Sequence, residues 1–147
     1  MHPLMTVPAA FQGASAAVAG STDRALATAR ALAEALGMQP FEIADEDRAA
    51  YHAGAAMASN FLVALESAAQ RMAGVDRELL APLIRAAVET WVAEGDAALT
   101  GPIARGDEGT IARHREAITE RAPELLPMYD ALVEATREVA ARGAVPA

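Results

Sequence analysis

Apolar positions recur with the 3.6-residue period of an α-helix along most of the chain. The first such segment runs from a cap at Ser21 or Thr22 to a stop at Gly37, and the longest runs from a cap at Asp45 to about Met72. We expect the longest segment to be the central helix. Three further segments have helical periodicity, and they cover residues 76–94, 108–121 and 123–143.

Two short segments near the start have the character of β-strands, at residues 14–19 and 38–43. The first 20 residues contain prolines and glycines that prevent a continuous helix, which predicts an extended lead-in. Residues 96–109 are rich in glycine and predict an ordered loop, and residues 143–147 predict a frayed tail. The pattern therefore predicts a mainly helical fold of the all-α class, with four to five helices and one or two short N-terminal strands.

Composition supports one helical domain over residues 1–147. Apolar residues make up 53% of the chain and aromatic residues only 4%, and alanine dominates the apolar set. Small side chains let helices approach closely, and alanine favours helix over sheet.

Charge and cysteine content exclude several classes of function. The formal net charge of −8 repels a polyphosphate backbone, so we expect no nucleic-acid partner. The chain has no cysteine, which excludes disulfides and thiolate chemistry and fits a cytoplasmic protein. We also expect no membrane association, because neither a signal peptide nor an apolar run of about 20 residues is present.

Three polar residues of the predicted central helix could face a ligand. His52 and Ser59 fall on one helical stripe, and Asn60 lies about 12 Å further along than His52 and roughly 80° round the axis. They can line one side of a cleft. The alternative is that they only pin neighbouring helices, because a buried histidine or asparagine needs a hydrogen-bond partner in either case.

The loop of residues 99–107 is a second candidate. Thr100 can cap a turn, Gly101 permits a close backbone approach, Pro102 fixes the chain direction, and Arg105 offers a bidentate donor to a carboxylate or phosphate. The alternative is an ordinary connection between two helices, in which Asp107 caps the helix that follows.

The histidines do not predict a metal site, because their spacing matches no ligand pattern. On spacing alone, His114 is typical of a surface or helix-packing histidine. His2 lies at a terminus that should fray, so it matters only if the polypeptide began further upstream. The chain also has no glycine fingerprint after a strand, so we expect it to hold no dinucleotide by that device.

Four motifs occur in an order that resembles a known family of Rossmann-like proteins, whose C-terminal half is a domain of unknown function numbered 2520. The motifs are His-Pro-Leu-x-Thr at 2–6, Tyr-His-x-x-Ala-x-x-Ala-Ser-Asn at 51–60, Leu-Thr-Gly-Pro-x-x-Arg-Gly-Asp at 99–107, and a histidine on the next helix. That half is similar to the C-terminal domains of 6-phosphogluconate dehydrogenase, pyrroline-5-carboxylate reductase and ketopantoate reductase, which commonly form dimers.

The resemblance implies the substrate-binding and dimerisation domain of an NAD(P)-dependent oxidoreductase acting on a small carbonyl or imine acid. His52 and Asn60 would hold or protonate the substrate. The implied substrate-binding residues are His2, Ser59, Thr100, Gly101, Pro102, Arg105, Asp107 and His114.

The implied cofactor, NAD or NADP, would be bound by a Rossmann domain in cis or in trans. Because Met1 stands directly before the His-Pro motif, we expect that domain to be absent from this chain, which alone would then be inactive. The rival hypothesis is a non-catalytic helical module for subunit pairing or a protein partner. A third hypothesis is a small-ligand sensor that uses the loop around Arg105.

Overall fold

The computed structural model describes residues 1–6 and 10–143. Within that part the chain is mainly helical, with five helices and one three-stranded sheet, which confirms the predicted fold class. The chain divides into two compact units, Met1–Leu65 and Glu66–Ala147. The predicted frayed tail lies outside the described residues, apart from Gly143.

The first unit contains the sheet. Its strands are β1 (His2–Leu4), β2 (Ser15–Val18) and β3 (Gln39–Glu42), with β1 antiparallel and β3 parallel to β2. β2 and β3 confirm the two predicted strands. β1 was not predicted, because three residues that include a proline are too short to show alternation.

Helix α1 (Asp23–Ala35) joins β2 to β3 and packs on one face of the sheet. Thr22 caps it by accepting a hydrogen bond from the amide of Ala25, and Gly37 ends its last turn with a φ of 76°. The prediction for this helix is confirmed. Fully or almost fully buried side chains form a small core here, and they are Ala16, Val18, Ala33 and Met38.

The face of the sheet opposite α1 carries residues that contribute to the candidate site. His2 pairs with Ala17, which in turn pairs with Phe41, so these three residues form one row across the sheet. Side chains in such a row point to the same side of a sheet. His2 and Phe41 therefore share a face that the start of the central helix can cover.

The central helix spans residues 48–73 in three parts: α2 (Arg48–Ala56), a π-helical turn (Met57–Phe61) and α3 (Leu62–Ala73). A long central helix was predicted, but its predicted cap was wrong. The helix begins after Asp47, and Asp45 instead forms an ion pair with Arg48 at 2.8 Å. The π-turn was not predicted either, because a periodicity of 3.6 assumes uninterrupted α-helix.

The second unit contains α4 (Arg77–Glu94), α5 (Glu108–Arg121) and α6 (Leu126–Gly143), which confirm the remaining predicted helices. Pro123–Leu125 forms a 3-10 turn ahead of α6. The buried apolar side chains of this unit are Ile111, Ile118, Ala122 and Val133. Among the described residues, no helix combines the length and apolarity needed to cross a membrane.

Candidate functional site

An open cleft of about 700 Å³ lies in the first unit, between the residues of β1 and the central helix. That volume falls within the range of small-molecule sites. The polar or aromatic side chains in its wall are His2, Thr6, Tyr51, His52, Ser59 and Asn60. The structure thus brings the candidates His2, His52, Ser59 and Asn60 to one concave surface.

His2 lies in a strand that pairs with β2, and its ring contacts the central helix. The Nδ1 atom of His2 lies 3.0 Å from the hydroxyl oxygen of Tyr51, within hydrogen-bond distance. The ring centroids of His2 and His52 are 4.7 Å apart. Two histidines 50 positions apart in sequence therefore meet at one end of the cleft.

Tyr51 is the functional candidate that sequence reasoning missed. Its ring makes edge contacts with Phe41 and His2 at centroid distances of 5.9 and 5.7 Å, so it ties the row on the sheet to the helix. Burial raises the pKa of Tyr51 above its ordinary value, so the hydroxyl keeps its proton near neutral pH. Its position directly before His52 in the second motif was the available signal.

The π-turn carries Ser59 and Asn60. The hydroxyl of Ser59 donates to the carbonyl oxygen of Ala55 at 2.7 Å, and the hydroxyl oxygen lies 3.2 Å from the side-chain oxygen Oδ1 of Asn60. A π-turn rotates less per residue than the roughly 100° of an α-helix. Asn60 is therefore turned closer to the direction of His52 than regular α-helical geometry would place it.

The wall of the cleft is mostly apolar, and the polar side chains among the described residues that line it include no carboxylate, lysine or arginine. These polar side chains are two imidazoles, three hydroxyls and one amide. An anionic ligand would meet no carboxylate here despite the net charge of −8. Within the described part of the chain, no three His, Asp or Glu side chains are grouped to hold a metal ion.

The loop residues predicted to bind substrate lie in the second unit, where several of them stabilise the conformation of the loop itself. Gly101 has a φ of 99°, and the carbonyl of Pro102 accepts a hydrogen bond from the amide of Asp107 at 2.9 Å. Thr100 and Arg105 are exposed.

Asp107 caps α5 as predicted, since its carboxylate accepts from the amide and the hydroxyl of Thr110 at 3.0 and 2.7 Å. Those hydrogen bonds lower the pKa of Asp107.

His114 also lies in the second unit, on α5. Its Nδ1 atom is 3.0 Å from the hydroxyl oxygen of Tyr129 on α6, and the neighbouring Arg115 pairs with Asp130 at 2.8 Å. Burial, followed by the nearby Asp130 carboxylate, raises the pKa of Tyr129. A contribution of His114 or of the loop to the same site as His52 stays a prediction.

A family model shows what class of protein this mainly helical domain represents. The model of the domain of unknown function DUF2520 matches residues 14–136, and the chain belongs to that family. The second, third and fourth motifs lie inside the matched residues, whereas His-Pro-Leu lies before them. No curated protein sequence matches the chain.

Two solved structures are similar to this one. A protein from Bacteroides fragilis, provisionally assigned as an NADP oxidoreductase, is 22% identical with a TM-score of 0.77; the match covers 88% of this chain and 51% of that one. A protein from Thermotoga maritima is 27% identical with a TM-score of 0.81, and the match covers 96% of this chain and 60% of that one. The chain thus spans less than two thirds of either protein, and the first likeness shows the fold alone.

Proposed function

We propose that this chain is the substrate-binding and dimerisation domain of an NADP-dependent oxidoreductase that acts on a small carbonyl or imine acid. The observation that carries the proposal is the cleft in the first unit, whose wall combines two imidazoles with a serine and an asparagine. The provisional assignment of the Bacteroides fragilis protein supports the same class of reaction. The likeness to 6-phosphogluconate dehydrogenase and the ketopantoate and pyrroline-5-carboxylate reductases, and the cytoplasmic location, stay predictions.

His52 is the proposed proton donor. It has ring contacts with His2 and Tyr51, and no hydrogen bond joins it to another of the described residues, which supports a role in binding a ligand. An imidazolium can give a proton to a carbonyl oxygen or imine nitrogen as that group is reduced. Asn60, held by Ser59, would orient the substrate beside it.

The cofactor's phosphates do not fit this cleft, since its described wall contains no arginine, lysine or other permanent cation. We therefore assign the nucleotide to a Rossmann domain, in cis or in trans, and only the substrate to this chain. When bound, the cofactor supplies the hydride.

The test of catalysis joins this chain to a Rossmann domain, either fused or added separately, and follows NADPH oxidation with small 2-keto acids. We expect turnover that His52→Ala removes. The control is Thr119→Ala, which deletes a hydroxyl on α5 in the other unit. Unchanged turnover in His52→Ala would exclude His52 from the reaction, and a chain that binds no small acid would favour the non-catalytic module.

Helix α4 supports the dimerisation part of the proposal. No residue of this 18-residue helix is buried, although it carries Leu79, Leu83, Trp91 and Val92 at 61–73% exposure. Leu79 and Leu83 lie one turn apart on the same side of the helix, and exposed apolar side chains grouped in this way are typical of a protein interface. Leu83 and Trp91 also border a cleft of about 630 Å³ whose floor includes the small residues Ala86 and Ala87.

We expect a second copy of the chain to bind this surface. The exposed apolar side chains of one copy can enter the neighbouring cleft of the other, and the reverse contact then follows from a twofold axis. Leu83→Glu should convert a dimer into a monomer, measured by light scattering after size-exclusion chromatography. Arg85→Glu, which introduces a glutamate two positions further along the same helix, should leave the dimer intact. A monomeric wild-type chain at high micromolar concentration would contradict this part of the proposal.

A further inference from the structure

The hydroxyl of Ser59 has one proton to donate and two neighbours within hydrogen-bond distance. The carbonyl oxygen of Ala55 is 2.7 Å away, and the atom of Asn60 that faces the hydroxyl at 3.2 Å is its side-chain oxygen Oδ1. A backbone carbonyl can only accept, and the shorter contact is with Ala55. The proton of Ser59 therefore points to Ala55, and its oxygen lone pairs face Asn60.

The lone pairs of the Ser59 oxygen form a hydrogen bond only if the group that faces them is a donor. A half-turn of the Asn60 amide exchanges its oxygen and nitrogen at nearly the same positions, and only the nitrogen can donate. We infer that Asn60 donates from Nδ2 to the hydroxyl oxygen of Ser59 and presents its carbonyl oxygen Oδ1 to the cleft. The π-turn favours this pairing, because its smaller rotation per residue brings two consecutive side chains closer in direction.

This orientation defines the ligand group that Asn60 recognises, and that step rests on the proposed function. An acceptor in the wall binds a donor, so Asn60 selects a hydroxyl or a protonated amine and disfavours a bare carbonyl oxygen. A ligand carbonyl must then turn to the ring N–H of His52. The cleft should hold a hydroxy or amino compound more tightly than the matching keto compound, by about 2-fold to 10-fold for one hydrogen bond.

The orientation can be measured without a ligand, by NMR of the 147-residue chain. We expect the side-chain NH₂ protons of Asn60 to show nuclear Overhauser effects to the β-protons of Ser59 and slowed exchange with water. Ser59→Ala should abolish the slowed exchange. Thr119→Ala, which removes the same kind of hydroxyl-to-carbonyl bond on α5, should not change it. An Asn60 NH₂ group that exchanges as fast in the wild type as in Ser59→Ala would overturn the inference.

Two neutral esters test the selectivity, because methyl lactate and methyl pyruvate differ only in a hydroxyl and a carbonyl. We expect the wild type to favour methyl lactate by about 2-fold to 10-fold. Asn60→Asp, which has only acceptors, should keep this preference, and Asn60→Leu should bring the ratio near one.

The opposite result, a preference for methyl pyruvate that Asn60→Asp reverses, would overturn the inference and leave the proposed function standing. If neither ester shifts the resonances of the cleft residues, the proposed substrate site fails. The amide measurement then still decides how Asn60 is oriented.

Discussion

The chain contains two histidine–tyrosine pairs of the same geometry, one in each unit. The Nδ1 to hydroxyl distance is 3.0 Å both for His2 with Tyr51 and for His114 with Tyr129. Both tyrosines have a pKa raised by burial. What differs is the surroundings of each pair.

The pair in the second unit joins two helices and lies beside an ion pair, because Arg115 of α5 reaches Asp130 of α6. A second ion pair, between Glu108 and Arg137, links the same two helices at 2.6 Å. The pair in the first unit instead lies beside a second imidazole, that of His52, and an open cleft. A hydrogen-bonded pair therefore does not define a function until the groups around it are known.

Replacing His52 should have the largest effect and tests the first unit directly. Loss of a general acid typically lowers turnover by about 10²-fold to 10⁴-fold. We expect a loss of that size for His52→Gln in the assembled oxidoreductase, measured as kcat with a saturating 2-keto acid. A loss confined to KM would mean that His52 only binds the substrate.

Tyr51→Phe should weaken the first pair while it keeps the aromatic ring in the wall of the cleft. One hydrogen bond is worth about 0.5–1.5 kcal/mol, so we expect ester binding in the cleft to weaken by up to about 10-fold as His2 loses its anchor. The ring nitrogen resonances of His2 should move towards those of a free imidazole in long-range ¹H–¹⁵N spectra. Unchanged His2 resonances would show that Tyr51 does not hold the ring.

Tyr129→Phe is the matched change in the second unit. It should lower the free energy of unfolding by about 1 kcal/mol, because it breaks one hydrogen bond between α5 and α6. Urea denaturation followed by circular dichroism measures this change. Ester binding in the cleft should stay the same; a loss of binding would give the second pair a part in the site and remove the contrast.

Asp107→Ala should have the smallest effect, as the loss of a helix cap. The pKa of Asp107 is lower in the folded state than in the unfolded state. Its carboxylate therefore stabilises the fold at any pH above the ordinary aspartate pKa of about 3.9, and this stabilisation is lost as the pH falls through the folded pKa. We expect the melting temperature to drop by a few degrees at neutral pH and the difference to shrink at acid pH, as the carboxylate of Asp107 gains a proton. Asp107→Asn, which keeps a capping oxygen, should be milder. An equal drop at both pH values would argue against a charged cap.

The sequence was sufficient for most helices and for two strands, because caps and periodicity are local signals. Thr22, one of the two predicted candidates, caps α1, and Asp107 caps α5 as predicted. The missed features depend on other parts of the chain. β1 exists only through its pairing with β2, and a π-turn leaves no mark on a pattern read at 3.6 residues per turn.

The candidate site divides in the same way. His52, Ser59 and Asn60 lie within one helix, so their spacing could place them near one another before the fold was known. Tyr51 and the contact between His2 and His52 could not be predicted, because they need the register of β1 against β2 and the packing of the helix on that row. His114 was predicted to be a surface or helix-packing histidine, but its partner could not be predicted, because Tyr129 lies on another helix.

The π-turn has a consequence for anyone who aligns relatives of this domain. It contributes one residue more than an α-helical turn, so a helical wheel drawn from Arg48 misplaces every position after Phe61 by about 100°. A homologue with an uninterrupted helix must carry a one-residue gap at this turn. Without that gap, residues about 100° apart round the helix would be treated as equivalent along the whole of α3.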